Sequence, residues 1–307
     1  MSLPTRVDVE SAAARLGEKV RHTPTLVIHG DELGVPYRVV LKLELLQHTG
    51  SFKARGALNS VMSLDPSVQR VVAASGGNHG AAVAWAAGRA GLTADIFVPA
   101  SATPEKIGRI EEYGGRLHAV DGDVGAALEA CLELAEREDL PVVHPYDTVQ
   151  TVCGAGTVGL EIADAVPEAA HVLVACGGGG LYAGTSAALQ GVPVTPVETE
   201  LCPHLHVARE AGRPVPHPSA GSAADSLGPP QIGRLAFETA RARGTTSLLV
   251  SEEEVLAARR FLWQRARVLA EPGASAALAA VMAGRIDAEP GATVVVVVSG
   301  GNNPAIP

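Results

Sequence analysis

The residue whose position most asks for a chemical explanation is Lys53, in the stretch QHTGSFKARGALNSV. It follows a Thr-Gly-Ser-Phe turn and opens a run in which Ala54, Ala57, Leu58 and Val61 recur at helical spacing. A lysine at such a helix start is ordinarily a solvated charge. Enclosed in a cleft, the same amine would lose its proton more readily and become a nucleophile toward a carbonyl.

Three glycine-rich segments bear on that choice: VVAASGGNHGAAVAWAA, VLVACGGGGLYAGTSAAL and VVVVVSGGNNPA, each following a strand-like apolar run. Glycine after a strand lets the backbone turn and approach a ligand, and a following helix start offers unpaired N–H groups to an anion. Gly177, Gly178, Gly179 and Gly180 would supply four such donors, which suits one compact tetrahedral phosphate. In SGGNHG, Ser75 reads either as the N-cap of a turn or as part of a carboxylate clamp made with backbone N–H groups, with Asn78 donating to a second group. The tetraglycine also admits a rival. Gly178, Gly180 and Gly184 form a loose dinucleotide fingerprint, and Glu198 lies where a ribose-binding acid would sit, as in a nucleotide-binding oxidoreductase. That rival has no use for Lys53.

These residues need a scaffold, and the chain supplies one of α/β class. Strand-like runs at 38–43, 70–74, 94–98, 116–120, 171–175, 194–198 and 292–298 alternate with helical patterns at 80–91, 103–113, 124–138, 157–165, 180–189 and 252–270. Such alternation predicts βαβ units around parallel sheets. The Pro-rich patch at 203–218 reads as a surface excursion. With 47% hydrophobic residues and a net charge of -9, the sequence fits a globular small-molecule protein; nucleic acid or an anionic membrane would call for a basic surface. No secretory signal opens the chain and no apolar run is long enough to span a bilayer, so a cytoplasmic location is expected. Cys131, Cys153, Cys176 and Cys202 lack metal-ligand pairing and read as reduced, buried thiols.

Taken in order, TGSFKARGALN, SGGNHG, HPYD with GAGTVGLEI, CGGGGL, ADSLG, EPGASAALAAV and VVSGGN resemble the motifs of the serine/threonine dehydratase and serine racemase family. These are fold type II enzymes dependent on pyridoxal 5′-phosphate. The resemblance implies two doubly wound domains with the cofactor between them, the larger from residues 1–67 and 148–307 and the smaller from 68–147. It implies that Lys53 forms the Schiff base with the cofactor and that Phe52 packs beside its ring. The phosphate would be held by Gly177, Gly178, Gly179, Gly180 and Leu181. Asn78 would serve the ring's 3′-oxygen and Ser299 the pyridine nitrogen. Ser75, Gly76, Asn78 and His79 would hold the substrate carboxylate. A homodimer acting on an amino acid is expected.

The implied reaction is β-elimination from L-threonine or L-serine, giving a 2-oxo acid and ammonia. A neutral Ser299 cannot keep the pyridine nitrogen protonated as a carboxylate would, and the weaker electron sink favours prompt loss of the β-substituent. Family racemases carry a serine where this chain has Gly76, so racemization is expected to be weak or absent. A dehydratase or racemase for another 3-hydroxy amino acid is the alternative. Family members also bind Mg²⁺ or a similar cation; Glu198 matches one ligand and Cys202 offers a carbonyl, but His204 stands where an Asp belongs. Ala155 replaces the family's Gln in the GQGT motif, and Asp225 and Glu271 match positions near the active site. The chain ends at Pro307, which leaves no room for the regulatory domain of longer threonine dehydratases.

Overall fold

The computed structural model describes residues 2–303 and 305–307. In chain order its elements are α1 (Arg6–Leu16), β1 (Thr25–Ile28), α2 (Gly30–Leu33), β2 (Arg38–Leu43), α3 (Lys53–Met62), β3 (Arg70–Ala74), α4 (Asn78–Ala90), β4 (Thr93–Pro99), α5 (Pro104–Glu112), β5 (Arg116–Val120), α6 (Val124–Glu138) and α7 (Val149–Ala165). They continue with β6 (Ala169–Ala175), α8 (Gly180–Ala188), β7 (Val194–Thr199), α9 (His204–Ala211), α10 (Ala224–Leu227), α11 (Arg234–Arg243), β8 (Leu248–Val250), α12 (Glu252–Ala266), α13 (Pro272–Met282) and β9 (Thr293–Val298).

Two sheets result. The larger runs β1-β2-β9-β6-β7-β8, and only the β1–β2 pair is antiparallel. Its centre is β9, TVVVVV, whose continuous apolar run is what a parallel strand covered on both faces requires. Alternate valines take opposite faces: Val294, Val296 and Val298 pack with α12 and α13, while Val295 and Val297 pack with α7, α8 and α11. The smaller sheet, β3-β4-β5, is wholly parallel, and an isolated bridge from Val72 to Val142 extends its edge.

Some elements differ from the sequence-based expectation. α7 begins at Val149 rather than 157, because Gly154, Gly156 and Gly159 sit inside a helix instead of breaking it. A Cβ on Gly154 would lie 2.6 Å from the Arg55 carbonyl, and one on Gly156 would lie 2.6 Å from the Gly184 carbonyl, so close packing on α3 and α8 demands them. The same packing explains Gly184, whose Cβ would meet the Val152 carbonyl at 2.2 Å. The third glycine of the supposed dinucleotide fingerprint therefore serves helix contact. Within 203–218 the chain forms α9, with His204, Leu205 and Ala208 buried, rather than a surface excursion throughout. α12 stops at Ala266, where Arg267 adopts a left-handed conformation. The four cysteines are free and buried. Among the described residues no helix is long and apolar enough to cross a membrane.

Candidate active site

The order β2-β9-β6 sets three strand ends side by side. From β2 the chain runs through residues 44–52 to Lys53, from β9 it enters Ser299, and from β6 it enters the tetraglycine. The carboxyl ends of parallel strands are where α/β folds bind ligands. Here they are also stitched together, since Ser51 bridges Gly300 and the Phe52 N–H donates to the Ser299 carbonyl at 3.0 Å.

Lys53 is the first residue of α3. Its amine donates to the Pro145 carbonyl at 2.7 Å and lies 5.1 Å from the centre of the Phe52 ring. Burial lowers its pKa to about 8, against an opposing pull from the Glu271 carboxylate. α3 is held in place by a buried charge network. Arg55 donates to both oxygens of Glu44, at 2.7 and 2.8 Å, and to Glu161 at 2.6 Å; Lys42 donates to the other Glu161 oxygen at 2.6 Å. Burial works against the Arg55 charge, but Glu44 and then Glu161 outweigh it, so the guanidinium stays ionised. Lys53 therefore sits two residues from an anchored position.

Behind the lysine, residues 144–147 reach the tetraglycine. A Cβ on Gly178 would fall 2.3 Å from the Tyr146 ring, and one on Gly180 would fall 3.0 Å from the Tyr146 carbonyl. Gly179 has φ +81° and caps α8, and its Cβ would strike Ala236 at 2.3 Å. Among the described residues none of the N–H groups of residues 177–180 has an acceptor. Four adjacent unpaired donors at the start of a helix form an anion cradle. Leu181 turns its side chain into the core, which leaves its backbone N–H as its contribution. The Ser299 hydroxyl, beside Phe52, makes no hydrogen bond among the described residues.

Across from these lies the SGGNHG loop at the end of β3. The N-cap of α4 is Gly77 rather than Ser75, and the Ser75 oxygen accepts the Gly77 N–H at 3.2 Å. The N–H groups of Gly76, Asn78, His79 and Gly80 have no acceptor among the described residues, a second set of donors suited to an anion. The His79 ring turns away toward the Val143 carbonyl, 2.8 Å from Nε2. Burial, then the Lys53 charge, drops its pKa to about 3, so the imidazole is neutral and its backbone N–H is what the loop presents. Asn78 donates to both oxygens of Glu271, at 2.9 and 3.0 Å, across the cleft from the larger sheet. Lys106 on α5 pairs with Asp225 on α10 at the rim.

The set proposed for a cation looks different. Glu198 is fully buried, and its two oxygens accept the N–H groups of Leu205 at 2.6 Å and His206 at 2.9 Å, capping α9. Burial raises its pKa to about 7. Cys202 turns its thiol toward the Ala220 carbonyl, and His204 pairs with Ser219 at 3.0 Å. Among the described residues no three His, Cys, Asp or Glu side chains form a metal-binding group. Sequence reasoning passed over Pro145, Tyr146, Thr49 and Asn302, and it ranked Glu271 low. The signal for them was their place in the quoted motifs HPYD, TGSFK and SGGN.

An amine with a depressed pKa set between an anion cradle and a second ring of free N–H groups defines a carbonyl-cofactor enzyme with a phosphate handle. The chain belongs to the pyridoxal-phosphate dependent enzyme family, whose model matches residues 17–300. It is 34% identical over 302 residues to L-threonine ammonia-lyase of Geobacter sulfurreducens, spanning 96% of this chain and 74% of that one. It is 33% identical to phenylserine dehydratase of Ralstonia pickettii, over 92% of this chain and 88% of the relative. A solved bacterial threonine deaminase, from T.th., superposes with a TM-score of 0.90 at 32% identity, covering 99% of this chain and all of that one. Maize serine racemase gives 0.91 at 27%, covering 98% and 94%. The two-domain fold type II architecture is thereby shown.

Proposed function

We propose that this chain is a pyridoxal-phosphate-dependent ammonia-lyase that converts L-threonine, L-serine or both into a 2-oxo acid and ammonia. The observation that carries the reading is the Lys53 amine, held by Pro145 and depressed to about 8, beside four unpaired N–H groups. The residues present fit the cofactor. Residues 177–180 suit its phosphate, Lys53 its carbonyl carbon, Asn78 its ring oxygen, and the neutral Ser299 its pyridine nitrogen.

When bound, the cofactor supplies an electron sink for the pair left at the substrate Cα. Lys53 takes the Cα proton, a task its lowered pKa suits near neutral pH. The free N–H groups of the SGGNHG loop, with the Ser75 hydroxyl, hold the substrate carboxylate. The β-hydroxyl departs as water, and hydrolysis of the resulting enamine yields ammonia and the 2-oxo acid. The experiment is borohydride reduction of the yellow protein, with the label traced to Lys53, followed by 2-oxo acid release from a panel of L- and D-3-hydroxy amino acids. A colourless protein indifferent to pyridoxal phosphate would undo the reading.

A bulkier substrate is a second reading, favoured by Gly76. A Cβ there would meet nothing nearer than Val98 at 3.6 Å, and φ is not positive, so neither packing nor backbone conformation calls for glycine. The space is available to a substituent on the substrate. We take 68–147 as the smaller domain, supported by the three-stranded sheet and the Val72–Val142 bridge. A cytoplasmic homodimer is supported by the family resemblance and checked by sedimentation and cell fractionation. The cation belongs to this reading only through Glu198 and Cys202, and the helix-capping geometry of Glu198 favours turnover without it.

A further inference from the structure

Glu271, Asn78, Asn302 and Thr49 form one chain of hydrogen bonds joining the SGGNHG loop to the SGGNN loop. Asn302 Nδ2 donates to the Thr49 carbonyl at 2.8 Å and to Asn78 Oδ1 at 2.6 Å. Asn78 Nδ2 donates to Glu271 Oε1 and Oε2 at 2.9 and 3.0 Å. Both ends are acceptors, a backbone carbonyl and a carboxylate. That fixes the sense of each amide between them, because a flip of either Asn would set oxygen against oxygen.

The surroundings are shaped for this chain. Thr49, held at φ +60° and almost fully buried, also receives Arg109 Nη2 on its carbonyl at 3.0 Å. A Cβ on Gly50 would fall 2.1 Å from Asn302 Oδ1, and one on Gly300 would fall 2.5 Å from Glu271 Oε1. Glycine at 50 and 300 is therefore what lets the two polar side chains seat, and the Glu271 N–H donates to the Gly300 carbonyl at 3.1 Å. The third glycine loop is a scaffold for polar side chains rather than an anion cradle.

The two oxygens of one carboxylate subtend a much smaller angle at the Asn78 nitrogen than its two amide hydrogens do. A single N–H therefore makes both contacts as a three-centre bond, and the second N–H remains uncommitted. We propose that Glu271 and Asn302 are positioning residues: they lock the Asn78 amide from its two sides and reserve one N–H for the ring oxygen of the cofactor. Neither needs to touch the cofactor to do so. The inference rests on the pyridoxal-phosphate reading of the Lys53 cleft.

The test uses the holoenzyme and follows cofactor rather than turnover. Glu271→Ala, Asn302→Ala and Asn78→Ala are each expected to weaken pyridoxal phosphate by about tenfold, the loss that follows when a buried donor loses its alignment. All three should shift the visible absorbance maximum and its pH titration in the same sense. Glu271→Gln, which keeps a carbonyl acceptor, should recover part of the affinity. In an Asn78→Ala background, Glu271→Ala and Asn302→Ala should change affinity and spectrum no further, because both act through that amide. Equal effects in the presence and absence of Asn78, or wild-type spectra in the single variants, overturn the proposal. If Glu271→Ala fails to fold, Asn302→Ala, at a half-buried loop position, decides alone. Borohydride labelling of Lys53 in the wild type separates failure of this inference from failure of the cofactor reading.

Discussion

The Lys53 amine donates to the Pro145 carbonyl at 2.7 Å, which ties the start of α3 to the loop that packs on the tetraglycine. Burial depresses this amine from 10.5 to about 8, and the sign of the stability effect follows. Below about pH 8 both folded and unfolded chains hold the proton, and the folded apoprotein bears the full penalty of a buried charge. Between 8 and 10.5 the unfolded chain binds more protons, so stability rises with pH. Lys53→Met should abolish turnover and borohydride labelling while keeping the fold. Urea unfolding of the two apoproteins should show wild type gaining on the variant across that window; a constant difference would contradict the depressed pKa.

Gly178 lies against the Tyr146 ring, where a Cβ would sit 2.3 Å away. Gly178→Ala should force the loop and Tyr146 apart, misaligning the N–H cradle. The expected result is weaker cofactor binding by about tenfold or more, together with a loss of roughly 1–3 kcal/mol from overpacking. Equilibrium dialysis and thermal unfolding read the two effects separately.

Arg55 is fully buried and neutralises Glu44 and Glu161. Arg55→Met leaves two buried carboxylates with too few donors, and removing one partner of a buried pair costs about 3–5 kcal/mol. Denaturant unfolding should show a loss of that order. Lys53→Met, by contrast, should not show it, since that residue lies outside the network.

Glu198 has a pKa raised to about 7, so its folded state favours the protonated form. Stability from this group is complete below about 4.5 and is lost as pH rises through 7. Glu198→Gln should be more stable than wild type at about pH 8, and the advantage should vanish near pH 5. Added Mg²⁺ is expected to leave the melting temperature and turnover of the wild type unchanged. A rise that Glu198→Gln abolishes would reinstate the cation.

Gly76 offers no side chain to return a proton on the face opposite Lys53. Chiral chromatography should show 2-oxo acid accumulating from L-serine or L-threonine with little D-isomer formed. Because a Cβ at Gly76 meets Val98 only at ordinary contact distance, Gly76→Ser should fold with a melting temperature close to wild type. Efficient conversion of L- to D-serine by the wild type would contradict the prediction.

The amino-acid sequence determined the α/β class, because apolar runs such as TVVVVV can be covered only inside a parallel sheet. Its motif order also singled out Lys53 and the tetraglycine, since glycine and a lone amine carry their chemistry in the residue type itself. What the sequence could not show was neighbourhood. The interior glycines of α7 read as breakers until α3 and α8 were seen to press on them, and the short edge strands β1 and β8 gave too few residues for a period. Glu198, legible as a cation ligand by spacing, became a helix cap once α9 folded beneath it. Glu271 and Asn302 stand far from Asn78 in the chain and meet it only because β9 lies between β2 and β6, with its following loop turned toward the smaller sheet. A hydrogen bond requires distance and direction, and those are properties of the folded chain.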